Sequence, residues 1–403
     1  MAMKILFLAP QPFYQERGTP IAVRLFLRAL SERGDQVDLL TFPEGEDISL
    51  PGLTIHRAAP WPRVEGVRPG FSWKKIYCDA FLAPESLRLA RRLRPDVIQA
   101  TEEGVFLAQA LERILGVPFV YDMDSSMSDQ IADRFPGIGP LRGLLERLEG
   151  GAIRSARVVV PMCESLAGTA RRFGAGDVVV LKDVSLLGDD GSGSAPGPGL
   201  LQFRDDPRLA SGRIVLYVGN LEPYQGIDLL LDSFRRVRDA VPEARLAVVG
   251  GVPQHVEAYR LRARELDLTD DVVFTGPQPV GHLGSLMAQA DLLVSPRIQG
   301  ENTPMKLYTY LDSGVAVLAT DLPTHTQVAS SSEAGLAAPI PSAFAEEMIG
   351  LLRDDARRAK LALAARELIR REHSYEGFRT RVHALYGRLE VELSAARARR
   401  PSS

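Results

Sequence analysis

Lys4-Ile-Leu-Phe-Leu-Ala-Pro10, then Gly18-Thr19-Pro20, then Val37-Asp-Leu-Leu-Thr-Phe42: the reading of this stretch decides the fold. Ile5 to Leu8 is an unbroken apolar run closed by Ala9-Pro10, the pattern of a parallel strand buried on both faces. Between the Gly18-Thr19-Pro20 turn and Arg33-Gly34, apolar residues Ile21, Val23, Leu25, Phe26, Leu27 and Leu30 recur at roughly helical spacing. Arg33-Gly34 is a good helix stop, and Val37 to Phe42 reads as a second strand. Strand, helix and strand in that order make a βαβ unit, which requires parallel strands.

Working outward, Leu53-Thr-Ile-His56, Asp96-Val-Ile-Gln-Ala100, Phe119-Val-Tyr121 and Val158-Val-Val160 are further strand candidates with helical patterns between most of them. Gly188-Asp-Asp-Gly-Ser-Gly-Ser-Ala-Pro-Gly-Pro-Gly199 breaks the rhythm with a composition that cannot bury a core. Beyond it the alternation restarts with Ile214-Val-Leu-Tyr-Val218, Arg245-Leu-Ala-Val-Val249, Val272-Val-Phe-Thr275, Leu292-Leu-Val294 and Val315-Ala-Val-Leu318. From Ser342 to about Arg400 the pattern is helical, with a break near His373-Ser374. The expected fold class is therefore α/β, two Rossmann-like doubly wound parallel-sheet domains. Residues 1–185 form the first domain, 186–212 a linker or surface insertion, 213–372 the second domain, and 373–403 the final helices.

A chain of 403 residues fits two domains better than one core. Its 45% hydrophobic and 25% charged residues are those of a soluble globular protein, and a net charge of -3 argues against nucleic acid as a partner. Cys78 and Cys163 stand far apart without metal-ligand spacing, so no zinc site or disulfide framework is expected, and no metal. The apolar run near Lys4 is too short for a signal peptide, and nothing approaches the ~20 apolar residues of a membrane span. The expected location is the cytoplasm, a reading compatible with peripheral attachment at the inner face of the cell membrane.

The chemistry concentrates in Ser295-Pro-Arg-Ile-Gln-Gly-Glu-Asn-Thr-Pro-Met-Lys-Leu-Tyr-Thr-Tyr-Leu-Asp-Ser-Gly314. A Gly/Pro-marked loop leading into a short helix is a place where a doubly wound sheet offers backbone amides to an anion. Together with Gly18-Thr19-Pro20 and Gly219-Asn-Leu-Glu-Pro-Tyr-Gln-Gly226, this segment resembles family 4 glycosyltransferases of GT-B fold, as a divergent member. The resemblance spans nearly the whole chain, and it implies a GT-B arrangement of two domains facing a central cleft, with the helices of 373–403 packing back on the first. It implies a retaining transferase that takes a sugar from a nucleotide diphosphate sugar, a UDP-sugar favoured, with no bound cofactor, and passes it to a glycan or lipid-linked acceptor in cell-envelope glycan synthesis.

Gly219 to Gly226 matches the family's Gly-Arg-Leu-x-x-x-Lys-Gly, which holds the donor diphosphate, but Asn220 stands for the arginine and Gln225 for the lysine. Two charge-assisted contacts of roughly 1.5 to 3 kcal/mol each are thereby lost, so Lys306 or Arg297 must supply a cation. The family's paired glutamates, eight positions apart, fall on Thr309 and on either Glu301 by spacing or Gln299 by the position of Pro304. Thr309 is left as a neutral partner for the ribose, while Glu301, Asn302 and Thr303 line the donor sugar in this alignment. Gly250 and Gly251, with Thr275 and Gly276, end consecutive strands where the family packs the nucleotide base.

In the first half, Gly18 matches the flexible glycine beside the donor phosphates. Asp124 aligns with the family's active-site histidine, with Asp122 as its competitor. Glu102 and Glu103 are candidates for acceptor hydroxyls. Trp61, Phe71 and Trp73 interleave with Arg63, Arg68, Lys74 and Lys75, a mixture that suits a membrane interface or simple packing on the core. His325 either touches the donor or closes a turn. The departures at Asn220, Gln225, Thr309 and Asp124 also admit a catalytically silent protein that binds nucleotide or partners another transferase.

Overall fold

A computed structural model of the chain describes residues 2–15, 18–59, 66–67, 73–128, 139–187, 199–300 and 303–398. The chain divides into two compact units, Met1–Lys182 with Phe378–Ser403, and Asp183–Gly377. The sequence reading puts its boundaries after residues 185 and 372.

The first unit holds β1 (Lys4–Ala9), β2 (Gln36–Thr41), β3 (Leu53–Arg57), β4 (Val97–Thr101), β5 (Phe119–Met123) and β6 (Val158–Pro161), in the parallel order β3-β2-β1-β4-β5-β6. Every residue of β4 and β6 is buried, which is why Val158 to Val160 run apolar instead of alternating, while the buried polar residues of β4, Gln99 and Thr101, take part in hydrogen bonds inside the unit. The helix from Tyr375 to Ala398 contributes to this unit from Phe378 onward. Phe378 and Tyr386 meet Phe26 edge to face, and the Tyr386 hydroxyl donates to Gln99 Oε1 at 2.8 Å.

The second unit repeats the architecture with β7 (Arg213–Val218), β8 (Ala244–Val249), β9 (Val272–Gly276), β10 (Leu292–Ser295), β11 (Val317–Thr320) and β12 (Gly335–Ala337), ordered β12-β11-β10-β7-β8-β9 and parallel throughout. Both sheets have the same order when numbered from their own first strand. Each reverses direction beside that strand, at β1/β4 and at β7/β10, and such a switch point opens a crevice at the carboxyl ends of the strands.

Within 186–212, the span expected to be a linker or surface insertion, Phe203 and Leu209 are buried in the second unit's core, and Gln289 Oε1 accepts from Phe203 N at 2.8 Å. The edge strand β12 escaped the sequence reading because three residues with one glycine carry no usable periodicity. Cys78 and Cys163 are buried, and neither forms a disulfide among the described residues. Among the described residues no helix is long and apolar enough to cross a membrane.

Candidate active site

At the β7/β10 switch point the chain leaves β7 through Gly219, which sits at φ 152°, and turns through Pro223–Gln225 to Gly226 at φ 73°. Gly226 ends the turn and caps the helix Ile227–Ala240. A β-carbon there would stand 2.0 Å from the Pro296 carbonyl oxygen, and Ile298 N donates to Tyr224 O at 3.0 Å. The loop after β10 is thus seated on the loop after β7, and only glycine fits the seam. Gly250, at φ 111°, presses equally close: its β-carbon would lie 2.1 Å from Gly219 O, while its N–H donates to Gly276 O at 2.7 Å. Gly251 backs onto Leu221, and the Thr275 hydroxyl donates to Gly276 O.

Lys306 reaches this seam from the first turn of the helix Met305–Asp312. Its Nζ donates to Gln225 Oε1 at 2.8 Å and lies 4.0 Å from the centre of the Tyr217 ring. A β-carbon on Gly219 would come within 3.3 Å of it. Among the described residues no carboxylate forms an ion pair with this amine. Loss of water, with the Arg297 charge adding to it, holds Lys306 well below the usual lysine range. Arg297 is only 7% exposed, donates from Nε to Gln299 O at 2.6 Å and faces the Tyr224 ring. Burial lowers its basicity as well, without threatening its charge.

Two tyrosines that the sequence reading overlooked build the floor. Tyr217 gives Lys306 its aromatic face and donates to Asn220 O. Tyr310 both receives Val218 N at 2.6 Å and donates to Val218 O at 3.0 Å, fastening the helix to the end of β7. The signal was available, because a tyrosine in a buried strand or helix needs a partner for its hydroxyl.

Other expected residues are held by the protein itself. Asn220 is exposed and its side chain accepts from Glu222 N at 3.3 Å. Thr309 is 2% exposed and accepts from Leu186 N at 3.3 Å, and Thr303 accepts from Gln327 Nε2 at 2.7 Å. Gln299 is exposed, whereas Glu301 and Asn302 lie outside the described residues. His325 neither faces open space nor merely closes a turn. It is fully buried, with Nε2 2.9 Å from Ser295 Oγ and Nδ1 2.9 Å from Thr320 O.

In the first unit, Gly18 begins the helix Gly18–Arg33, with nothing among the described residues within 4 Å of where a β-carbon would be. Asp122 and Asp124, at the end of β5, are half-buried. Glu102 and Glu103, after β4, are not a solvated pair. Lys75 Nζ contacts Glu102 Oε2 at 2.5 Å and Glu103 Oε1 at 2.8 Å. Desolvation with neighbouring negative charge raises Asp79 and Glu103 above the usual carboxylate range, and the carboxylates hold Lys75 above the usual lysine range. Lys75 is therefore part of a buried ion cluster and not of a basic surface. Trp73 is 81% exposed and Lys74 exposed, while Trp61, Arg63, Arg68 and Phe71 lie outside the described residues.

Comparison with known proteins resolves the family. Residues 17–182 match the model of the glycosyl transferase 4-like domain, and residues 202–368 that of glycosyl transferases group 1. The chain belongs to the family 4 glycosyltransferases of GT-B fold. The phosphatidyl-myo-inositol mannosyltransferase of Mycobacterium leprae is 27% identical over 384 residues, 92% of each chain. The protein of the same name from Mycolicibacterium smegmatis is 28% identical over 221 residues, a match spanning 53% of this chain and little more than half, 55%, of that protein. Among solved structures, sucrose-phosphate synthase from Thermosynechococcus elongatus superposes with a TM-score of 0.78 at 18% identity, covering 96% of this chain and 99% of that one. Anabaena HepE in complex with UDP-glucose gives 0.73 at 16% identity, covering 96% and 99%. At these identities the structures speak for the GT-B fold alone.

Proposed function

We propose that this GT-B chain transfers a glycosyl group from a nucleotide diphosphate sugar, a UDP-sugar favoured, to a glycan or lipid-linked acceptor with retention of configuration. The observation that carries the reading is the cation at the β7/β10 switch point: Lys306, lodged on Gln225 and Tyr217 beneath Gly219. The family's lysine position is Gln225, and the amine of Lys306 reaches the same turn from another element. Charge has moved; the site has not lost it.

In this reading Lys306 and Arg297 face the diphosphate, joined by the N-terminal end of the helix Ile227–Ala240, whose partial positive charge favours an anion. Thr309 accepts from Leu186 N and keeps its proton to donate to a ribose hydroxyl. Gly250, Gly251, Thr275 and Gly276 pack the base. As the bond from the anomeric carbon to phosphate breaks, the acceptor oxygen bonds that carbon on the same face and its proton passes to the departing phosphate. The protein supplies no covalent nucleophile. It holds the reactants in place and stabilises charge on the leaving group. Glu301 of the second unit orients a sugar hydroxyl, and in the first unit Asp124, Asp122, Glu102 and Glu103 are the candidates for acceptor hydroxyls.

The mannosyltransferase relative supports a hexosyl donor. Exposed Trp73 and Lys74 favour a membrane-borne acceptor over a soluble one. A thermal-shift screen of nucleoside diphosphates and their sugars, followed by transfer assays with the stabilising donor, tests the proposal. At 100 times its dissociation constant a ligand adds roughly 2.7 kcal/mol to stability. Stabilisation by a diphosphate with turnover of its sugar supports it; binding without turnover of any donor supports the silent reading.

A further inference from the structure

We propose that His325 is a positioning residue for the donor site, a neutral imidazole that locks the backbone from Ser295 to Arg297 where the diphosphate would bind. This inference rests on the donor-site reading above. Three fully buried polar residues meet behind that loop: Ser295 at the end of β10, Thr320 at the end of β11, and His325 in the turn of helix Pro323–Thr326. Nδ1 of His325 lies 2.9 Å from the Thr320 carbonyl oxygen, which only accepts, so the ring proton sits on Nδ1. Nε2 is then an acceptor, and the Ser295 hydroxyl at 2.9 Å donates to it. The Thr320 hydroxyl, 3.1 Å from Nδ1, donates instead to Arg297 O at 2.6 Å.

The imidazole therefore grips the loop at two points two residues apart, directly by Ser295 and through Thr320 by Arg297. Between those points lies the Pro296 carbonyl, packed against Gly226, and just beyond is the Ile298 N–H bonded to Tyr224 O. Moving either grip shifts Arg297 and the seam below which Lys306 sits. Burial, together with the nearby Lys306 and Arg297 charges, lowers the His325 pKa to about 4, so the ring stays neutral in ordinary buffers. With both nitrogens engaged by the protein, it has no proton to exchange with a substrate. It acts by holding others.

The test measures binding of UDP and of uridine, which lacks the phosphates, to the full chain as wild type, His325→Leu, His325→Gln and Ser295→Ala. A positioning role predicts that His325→Leu weakens UDP by about tenfold or more, the scale of a displaced charged contact, and Ser295→Ala by about threefold, the scale of one ordinary hydrogen bond, with uridine unchanged. His325→Gln, which keeps an acceptor for Ser295, should recover part of the loss. Parallel weakening of UDP and uridine, or undiminished UDP binding in the folded variants, overturns the inference while leaving the donor site standing. Ser295→Ala decides the matter if His325→Leu does not fold. Failure of the wild type to bind UDP removes the donor-site reading and this inference with it.

Discussion

Lys306 Nζ stands 2.8 Å from Gln225 Oε1, so the cation of this site and the residue that occupies the family's lysine position are hydrogen-bond partners. A lysine at position 225 would place a second amine against the first, where burial and Arg297 already disfavour the charged form of Lys306. Each residue makes sense only with the other. The pair therefore behaves as one unit under mutation, and that is measurable.

Lys306→Gln should weaken use of the best donor by about tenfold or more, through loss of a charged contact worth roughly 1.5 to 3 kcal/mol. Gln225→Lys in the wild-type background should also lose activity, by crowding like charges. The double variant, with lysine at 225 and glutamine at 306, should recover most of the loss. Steady-state kinetics around the full mutant cycle gives the coupling, and additive losses would show that the residues act separately.

The depressed basicity of Lys306 fixes the direction of a pH effect. In the unliganded site burial and Arg297 disfavour its charged form, whereas a bound diphosphate favours it. Donor binding should accordingly take up a proton, and affinity should fall as pH rises from the lowered lysine value toward the liganded one. Calorimetric titration of a nucleoside diphosphate in buffers of different ionisation enthalpy measures that proton, and Lys306→Met should abolish it.

Gly226→Ala and Gly250→Ala each drive a β-carbon into backbone oxygen, at 2.0 Å from Pro296 O and 2.1 Å from Gly219 O. Both positions also carry positive φ. Each should lower stability by about 1–3 kcal/mol or more and impair nucleotide binding beyond what stability explains. Gly18→Ala, with open space around it, should leave thermal stability nearly unchanged.

The carboxylate cluster of the first unit predicts a stability effect of defined sign. Asp79 and Glu103 are raised by burial, so the folded state keeps protons that the unfolded chain releases above about pH 4. Their contribution is complete at low pH and lost as pH rises through the raised folded values. Asp79→Asn removes one of these titrating groups, whose Oδ1 makes no hydrogen bond. Its melting temperature relative to wild type should therefore increase between pH 5 and pH 8, and a constant difference would refute the assignment.

The sheets were legible because buried parallel strands write themselves as apolar runs. Ile5 to Leu8, Val158 to Val160 and Ile214 to Val218 needed no other signal. The glycine turns were legible because Gly226 and Gly250 occupy backbone that other residues resist. What sequence could not display was partnership across separated segments. Nothing local to Lys75 tells that Glu102 and Glu103 capture it, and nothing local to His325 tells that Ser295 and Thr320 engage both its nitrogens. Phe203 and Leu209 were hidden by the Gly/Ser/Pro-rich composition before them, although two isolated apolar anchors suffice to bury a short segment.

Calorimetric titration of UDP into the purified chain and into Lys306→Met tests the relocated cation most directly. Saturable binding to the wild type, weakened by about tenfold or more in the variant, is the result expected for one charged contact. Equal affinity of the two proteins, or no binding of UDP at millimolar concentration, would contradict it.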